Sequence, residues 1–156
     1  MHKTYAVISI LVTFVILFSQ SCDTEADKSN ASRHGESKSH LSGYACMYCH
    51  QPNGQSKNKF SVAGTILNEA RSAIQPTAVI KLYTKSKGQG KLIATIKTDA
   101  LGNFYTTKEI DFKAGLFPTL LGTPGVKEDT KHMKRRIFNG NCNGCHGPAA
   151  ERLGID

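Results

Sequence analysis

From Phe60 the chain falls into short runs in which apolar residues recur at strand spacing: FSVAGTIL (Phe60 to Leu67), TAVIKLY (Thr77 to Tyr83), KLIATIKT (Lys91 to Thr98) and GNFYTT (Gly102 to Thr107). Turn residues separate them, notably KGQG and DALGN, and the apolar piece GLFPTLLG (Gly115 to Gly122) brings the set to five or six strands. In Lys91 to Thr98, Leu92, Ala94 and Ile96 share one face and Ile93, Thr95 and Lys97 the other, which predicts a sheet with one partly exposed face. No stretch of helix length is amphipathic. The pattern therefore predicts a mainly β protein, a small antiparallel β-sandwich at about residues 58–124.

The N-terminus has a different character. Tyr5 to Phe18 (YAVISILVTFVILF) carries no charge and follows Lys3, too short for a comfortable membrane span, and reads as a secretory signal over residues 1–21. Ser19, Gln20, Ser21 and Cys22 resemble a bacterial lipoprotein cleavage site, with Ser19 where that pattern usually has leucine. The expectation is lipidation at Cys22 and a membrane anchor there; simple signal cleavage is the alternative. Residues 22–44 are polar and serine-rich with a single aliphatic anchor, Leu41, and are expected to be a flexible tether. Removing 21 residues from 156 leaves 135, enough for one compact domain.

Formal net charge is +8, or +7 once Lys3 is removed with the signal. The lysines are scattered and the chain reads as exported, so a nucleic-acid partner is not expected. Lys131, Lys134, Arg135 and Arg136 form the one basic cluster, either a solvated face or a contact for anionic groups.

The cysteines carry the chemistry. Setting Cys22 aside, the other four fall into two matched motifs: Cys46, Met47, Tyr48, Cys49, His50 and Cys142, Asn143, Gly144, Cys145, His146. Cys, two residues, Cys, His suits covalent attachment of c-type haem, because two thiols on one turn meet the two vinyl groups and the next residue brings an imidazole to the iron. Side chains at i, i+3 and i+4 share one face of a helical turn, as this requires. Two such motifs in an exported chain predict two covalently attached c-type haems, with His50 and His146 as proximal ligands. A zinc site built from the same thiols would bring its cysteine pairs closer in sequence than Cys49 and Cys142, and disulfide exchange normally sits on a βαβ scaffold that this chain lacks.

The sixth iron position separates electron transfer from catalysis. His34, His40 and His132 remain available, with Met133 as a thioether option. His40 lies six residues before Cys46 and His132 ten before Cys142, which favours these two as distal ligands. His34 is expected to be an exposed tether residue.

Two resemblances follow from these residues. SVAGTI, then Thr98, Asp99, Ala100, Leu101, Gly102, Asn103 and Phe104, resembles the carboxypeptidase-regulatory-like β-sandwich family over about Phe60 to Leu121, which implies a fold alone. Asp99 is expected to bond the turn backbone, Gly102 to take a positive φ, and Phe104 to enter the core. With a CxxCH motif on each side, the whole resembles a family of small di-haem c-type cytochromes of bacterial surfaces. That resemblance implies extracellular electron transfer and self-assembly into filaments, although a lipidated Cys22 departs from it.

The expectation is thus a non-enzymatic one-electron carrier of the cell envelope, serving redox partner proteins or an extracellular acceptor. The rival enzyme is a peroxidase-like or nitrogen-oxide-reducing haem with an open iron. A haem-bearing binding module for glycan or protein is the other alternative, weakened by the absence of tryptophan. If the motifs enter the first strand and leave the last, an even strand count brings the haems together as an internal relay, and an odd count separates them and demands contact between subunits.

Overall fold

A computed structural model describes residues 30–122, 129–147 and 152–155. In chain order the elements are α1 (Met47–His50), β1 (Val62–Thr65), β2 (Val79–Lys85), β3 (Gln89–Lys97), β4 (Asn103–Thr106), β5 (Phe117–Leu121), β6 (Thr130–His132), β7 (Gly140–Asn141) and α2 (Cys142–Cys145). The fold is mainly β, with a three-stranded sheet in the order β4-β1-β7 and a four-stranded sheet in the order β3-β2-β5-β6. Five of the strands coincide with the five apolar runs of the sequence.

The core draws on both sheets. Val62, Ile66 and Phe104 from the first meet Ile80, Leu82, Ile96, Leu116 and Leu120 from the second. Each such aliphatic or aromatic side chain contributes about 1.5–3 kcal/mol when taken fully out of water. On β3, Ile96 is buried and Ala94 half-buried as expected, but a bulge between Ala94 and Leu92 breaks the alternation, so that Ile93 packs against the core and Leu92 is exposed.

Turn chemistry fixes the register. Lys87 and Gly88 both have positive φ (57° and 69°), and Gln89 N–H donates to Ser86 O at 3.2 Å, the mirror-image turn whose twist matches a hairpin. At the second turn Asp99 Oδ1 accepts from Leu101 N (2.9 Å) and Asn103 N (3.1 Å), while Gly102 has φ 71°. Phe104 then drops into the core at 1% exposure.

Three departures from the sequence reading matter. First, β1 and β7 run parallel, pairing Val62 with Gly140 and Ala63 with Asn141, and Leu67 makes a further parallel bridge to Gly154, whereas the other strand pairs are antiparallel. Second, the expected tether is a docked strap from residue 30 onward. Ala31 bridges Thr106, the buried Ser32 hydroxyl donates to Lys97 O, and Ala100 N–H donates to Glu36 O at 2.7 Å. Its polar side chains satisfy carbonyls and amides of the sandwich, an enthalpic compensation for ordering that a hydrophobicity argument does not register. His34 belongs to this strap, its Nδ1 lying 3.0 Å from Pro76 O and 2.9 Å from Thr98 O. Third, the sandwich extends past residue 124. Leu67 N–H donates to Leu153 O and Ile155 N–H to Leu67 O, placing Ile155 in the core at 1% exposure.

Cys22 and the apolar run from Tyr5 to Phe18 lie outside the described residues. Among the described residues no helix is long and apolar enough to cross a membrane.

Candidate functional site

The first motif forms a single helical turn. Cys46 is its N-cap residue, and its carbonyl accepts from Cys49 N (3.3 Å) and His50 N (3.1 Å), so both thiols and the imidazole belong to one turn. The chain then loops back until Phe60 N–H donates to His50 O at 2.8 Å. This return loop orients the imidazole from two directions. His50 Nδ1 lies 2.8 Å from Asn58 O, and because a carbonyl can only accept, Nδ1 carries the proton and Nε2 keeps a free lone pair. The His50 ring also stacks on Phe60 (4.1 Å between centres, 4° between planes), which stacks on Tyr105 (4.7 Å, 21°).

His40 faces this imidazole, with ring centres 5.9 Å apart and planes tilted by 39°. A cleft of about 290 Å³ opens around them, lined among others by Tyr44, Cys46, Cys49 and Tyr105. That volume lies at the lower end of the ~300–1,000 Å³ typical of small-molecule sites. Burial pushes the Cys46 thiol above its ordinary pKa. Tyr105 is raised as well, by burial and then by the negative charges of Asp99 and Glu36.

The second motif sits at the end of β7. Asn141 caps the turn, its Oδ1 accepting from Gly144 N at 3.1 Å, and His146 N–H donates to Cys142 O at 2.9 Å. Cys142 packs against the core beside Gly64, whereas Cys145 is exposed. Burial, followed by the neighbouring thiols of Cys46 and Cys145, pushes the Cys142 pKa up to about 12.

The parallel β1–β7 pairing brings the two motifs together. Asn143, inside the second, donates through Nδ2 to the carbonyl of Tyr44, two residues before Cys46, at 2.7 Å. Seven strands are described, an odd number, yet the motifs adjoin. Strand parity predicts the chain ends only for a simple up-and-down order, and here β7 crosses back to lie beside β1.

The other histidines lie elsewhere. His132 is exposed on β6, at the edge of the four-stranded sheet, where Nδ1 lies 3.0 Å from Thr119 Oγ1; Cys142–His146 follow β7 of the other sheet. Met133 follows it in sequence, its N–H donating to Pro118 O. Within the basic cluster, Lys131 pairs with Glu69 at 2.8 Å and Arg136 lies 5.4 Å over the Phe117 ring. Asn58, Thr65, Asn103 and Asn143 were not singled out by the sequence reading. Only Asn143 carried a signal, its place between two haem-type cysteines.

The residues present fit a c-type haem at the first motif. Two imidazoles on opposite sides of one metal ion, each nitrogen about 2 Å from it, have ring centres about 6 Å apart, close to the spacing of His40 and His50. The four described cysteines, Cys46, Cys49, Cys142 and Cys145, form no disulfide, as attachment to vinyl groups requires. Among the described residues no group of three or more His, Cys, Asp or Glu side chains is arranged to hold a metal ion by itself. Comparison of the chain with protein-family profiles, curated sequences and solved structures gave no match.

Proposed function

We propose that this chain is an exported di-haem c-type cytochrome that carries single electrons across the cell envelope or to an extracellular acceptor, without enzymatic turnover. One observation carries the reading: His40 and His50 face each other at 5.9 Å across a cleft lined by Cys46 and Cys49. A bound haem supplies a one-electron iron couple whose potential depends on its ligands and its burial. The chain's own residues do the rest. Cys46, Cys49, Cys142 and Cys145 would hold the haems through thioether sulfurs, and His50 and His146 would be the proximal ligands. The Asn58 carbonyl holds the His50 ring in one tautomer and one orientation. His40 would be the second histidine to hold that haem, which favours carriage over catalysis.

For the second haem His132 is the proposed distal ligand, through Nε2, since its Nδ1 meets Thr119 Oγ1. The proximity of the motifs favours an internal relay between the haems. Redox proteins of the envelope or an extracellular acceptor are the proposed partners, with anchoring through lipidated Cys22 and self-assembly into filaments as further parts of the reading. Electron micrographs and light scattering showing only monomers of the mature protein at high concentration would remove the filament part.

The test is an oxidised and reduced visible spectrum of protein exported in a host with c-type maturation machinery, with haem counted per chain. Two haems, low-spin in both states and indifferent to carbon monoxide, are expected. A high-spin band or a carbon monoxide shift would instead favour the enzyme reading, and absence of haem would overturn the proposal.

A further inference from the structure

Three buried polar side chains lie between the two motifs. Asn143 and Thr65 are each 4% exposed and Asn103 is 2% exposed. Asn143 Oδ1 accepts from Thr65 N (3.0 Å), and its Nδ2 donates to Thr65 Oγ1 (3.2 Å) and to Tyr44 O (2.7 Å). Thr65 Oγ1 also accepts from Gly43 N (2.8 Å) and donates to Asn103 Oδ1 (2.6 Å). Asn103 Nδ2 then faces Ser39 Oγ (2.8 Å), Ser42 Oγ (3.2 Å) and the His40 carbonyl (3.3 Å).

The network joins segments that lie far apart in sequence. It begins on the residue after Cys142, crosses β1, and ends on the backbone of His40 and of Tyr44. Every one of its three side chains makes at least two hydrogen bonds, and a buried amide so satisfied holds a single geometry because any shift leaves a desolvated donor or acceptor. Residues between haem-type cysteines are free of any duty in attachment itself. A fully buried asparagine there, bonded to the other motif, has a different task.

We infer that Asn143, Thr65 and Asn103 form a positioning network that fixes the second haem turn against the first motif and its distal His40, and so sets the electronic coupling between the two haems. The inference rests on the di-haem reading. Transfer between two centres falls steeply with their separation, so a relay needs that separation held. Asn143 acts through its hydrogen bonds and touches no reacting atom.

Asn143→Asp is the diagnostic variant. It keeps the shape and the Oδ1 acceptor for Thr65 N but replaces the Nδ2 donor with an anionic oxygen facing the Tyr44 carbonyl. Asn143→Ala removes both functions, and far-ultraviolet circular dichroism establishes that each variant is folded. Two readouts apply. In the haem-loaded protein, Soret circular dichroism of the wild type should show the two-signed couplet of interacting haems, lost in Asn143→Asp with two haems per chain and low-spin bands retained. In the haem-free full chain carrying Cys22→Ser, Cys46→Ala and Cys142→Ala, nitroxide labels on the exposed Cys49 and Cys145 should give one narrow distance, broadened by Asn143→Asp. A couplet and a distance that survive the substitution would overturn the inference, as would a broad distance in the parent chain. Failure of the wild type to take up haem would sink the cytochrome reading, while the label distances would still decide whether the network positions the turns.

Discussion

Gly64 is the position where the core and the second motif meet, and Gly64→Ala puts the packing to a quantitative test. The residue lies buried in β1 without a positive φ, so the backbone itself accepts alanine. A Cβ there would stand 2.6 Å from Phe104 Cζ, 2.8 Å from Phe104 Cε1 and 2.9 Å from Cys142 Cβ. Neither neighbour is a loose side-chain end: Phe104 is 1% exposed, and Cys142 begins a helical turn. Overpacking of this kind costs about 1–3 kcal/mol. Lower entropy of the unfolded chain offsets about 0.4–1 kcal/mol of that. At mid-range the net loss is about 1.3 kcal/mol and at most about 2.6 kcal/mol, a mid-range fall in Tm of roughly 4–8 °C for a domain of this size. Thermal unfolding of the haem-free chain reads the first part. Haem counted per chain reads the second, since a displaced Cys142 should lower occupancy from two toward one while the first motif keeps its haem. Adding Phe104→Leu should relieve part of the clash and give a coupling energy in a double-mutant cycle. A Gly64→Ala protein that melts with the wild type and carries two haems would refute this account of the contact.

His40→Ala should convert one haem of the two to a form that binds carbon monoxide and leave the other low-spin; two low-spin haems would exclude His40 as a ligand. His132→Ala should do the same to the other haem, and an unchanged spectrum would remove His132 from the second iron. The raised Cys142 pKa makes alkaline conditions destabilising. The unfolded thiol ionises near 9.0 and the folded one near 12, so the contribution is whole below pH 9 and lost as pH rises between the two values. Urea midpoints of the haem-free chain at pH 8 and pH 11 should therefore fall more for the wild type than for Cys142→Ala; equal slopes would refute the shift. Asp99→Ala removes the acceptor for two turn amides and should cost about 1–3 kcal/mol in urea unfolding. A loss under about half a kcal/mol would mean the turn holds itself.

The strands were legible because each obeyed a local rule. Leu92, Ala94 and Ile96 alternated, Asp99 and Gly102 carried turn chemistry, and the chain from Phe60 to Leu121 needed nothing distant to declare itself. β6 and β7 were not legible, since three and two residues are too few to show a period. Residues 30–43 looked unstructured for a related reason: Ser32, Ser39 and Ser42 hold the strap by hydrogen bonds to partners more than 60 residues away, and composition does not encode partners. At the site, spacing drew attention to the four cysteines and to His50 and His146, and His40, six residues before Cys46, stands with its ring centre 5.9 Å from that of His50. The adjacency of the motifs was beyond a strand count, because it depends on which strand lies next to β1.

The parallel pairing of Val62 with Gly140 also governs when the molecule becomes itself. Parallel ladders that join remote segments form late, because closure of the intervening chain must precede any gain from the contact. Docking of β7 on β1 joins residues 78 positions apart, so the adjacency of the two CxxCH segments depends on closure of the whole intervening sandwich. Ile155, which follows both motifs in the chain, lies in the same core at 1% exposure. A destabilised sandwich should therefore separate the two segments before either loses its own helical turn, whose hydrogen bonds are local.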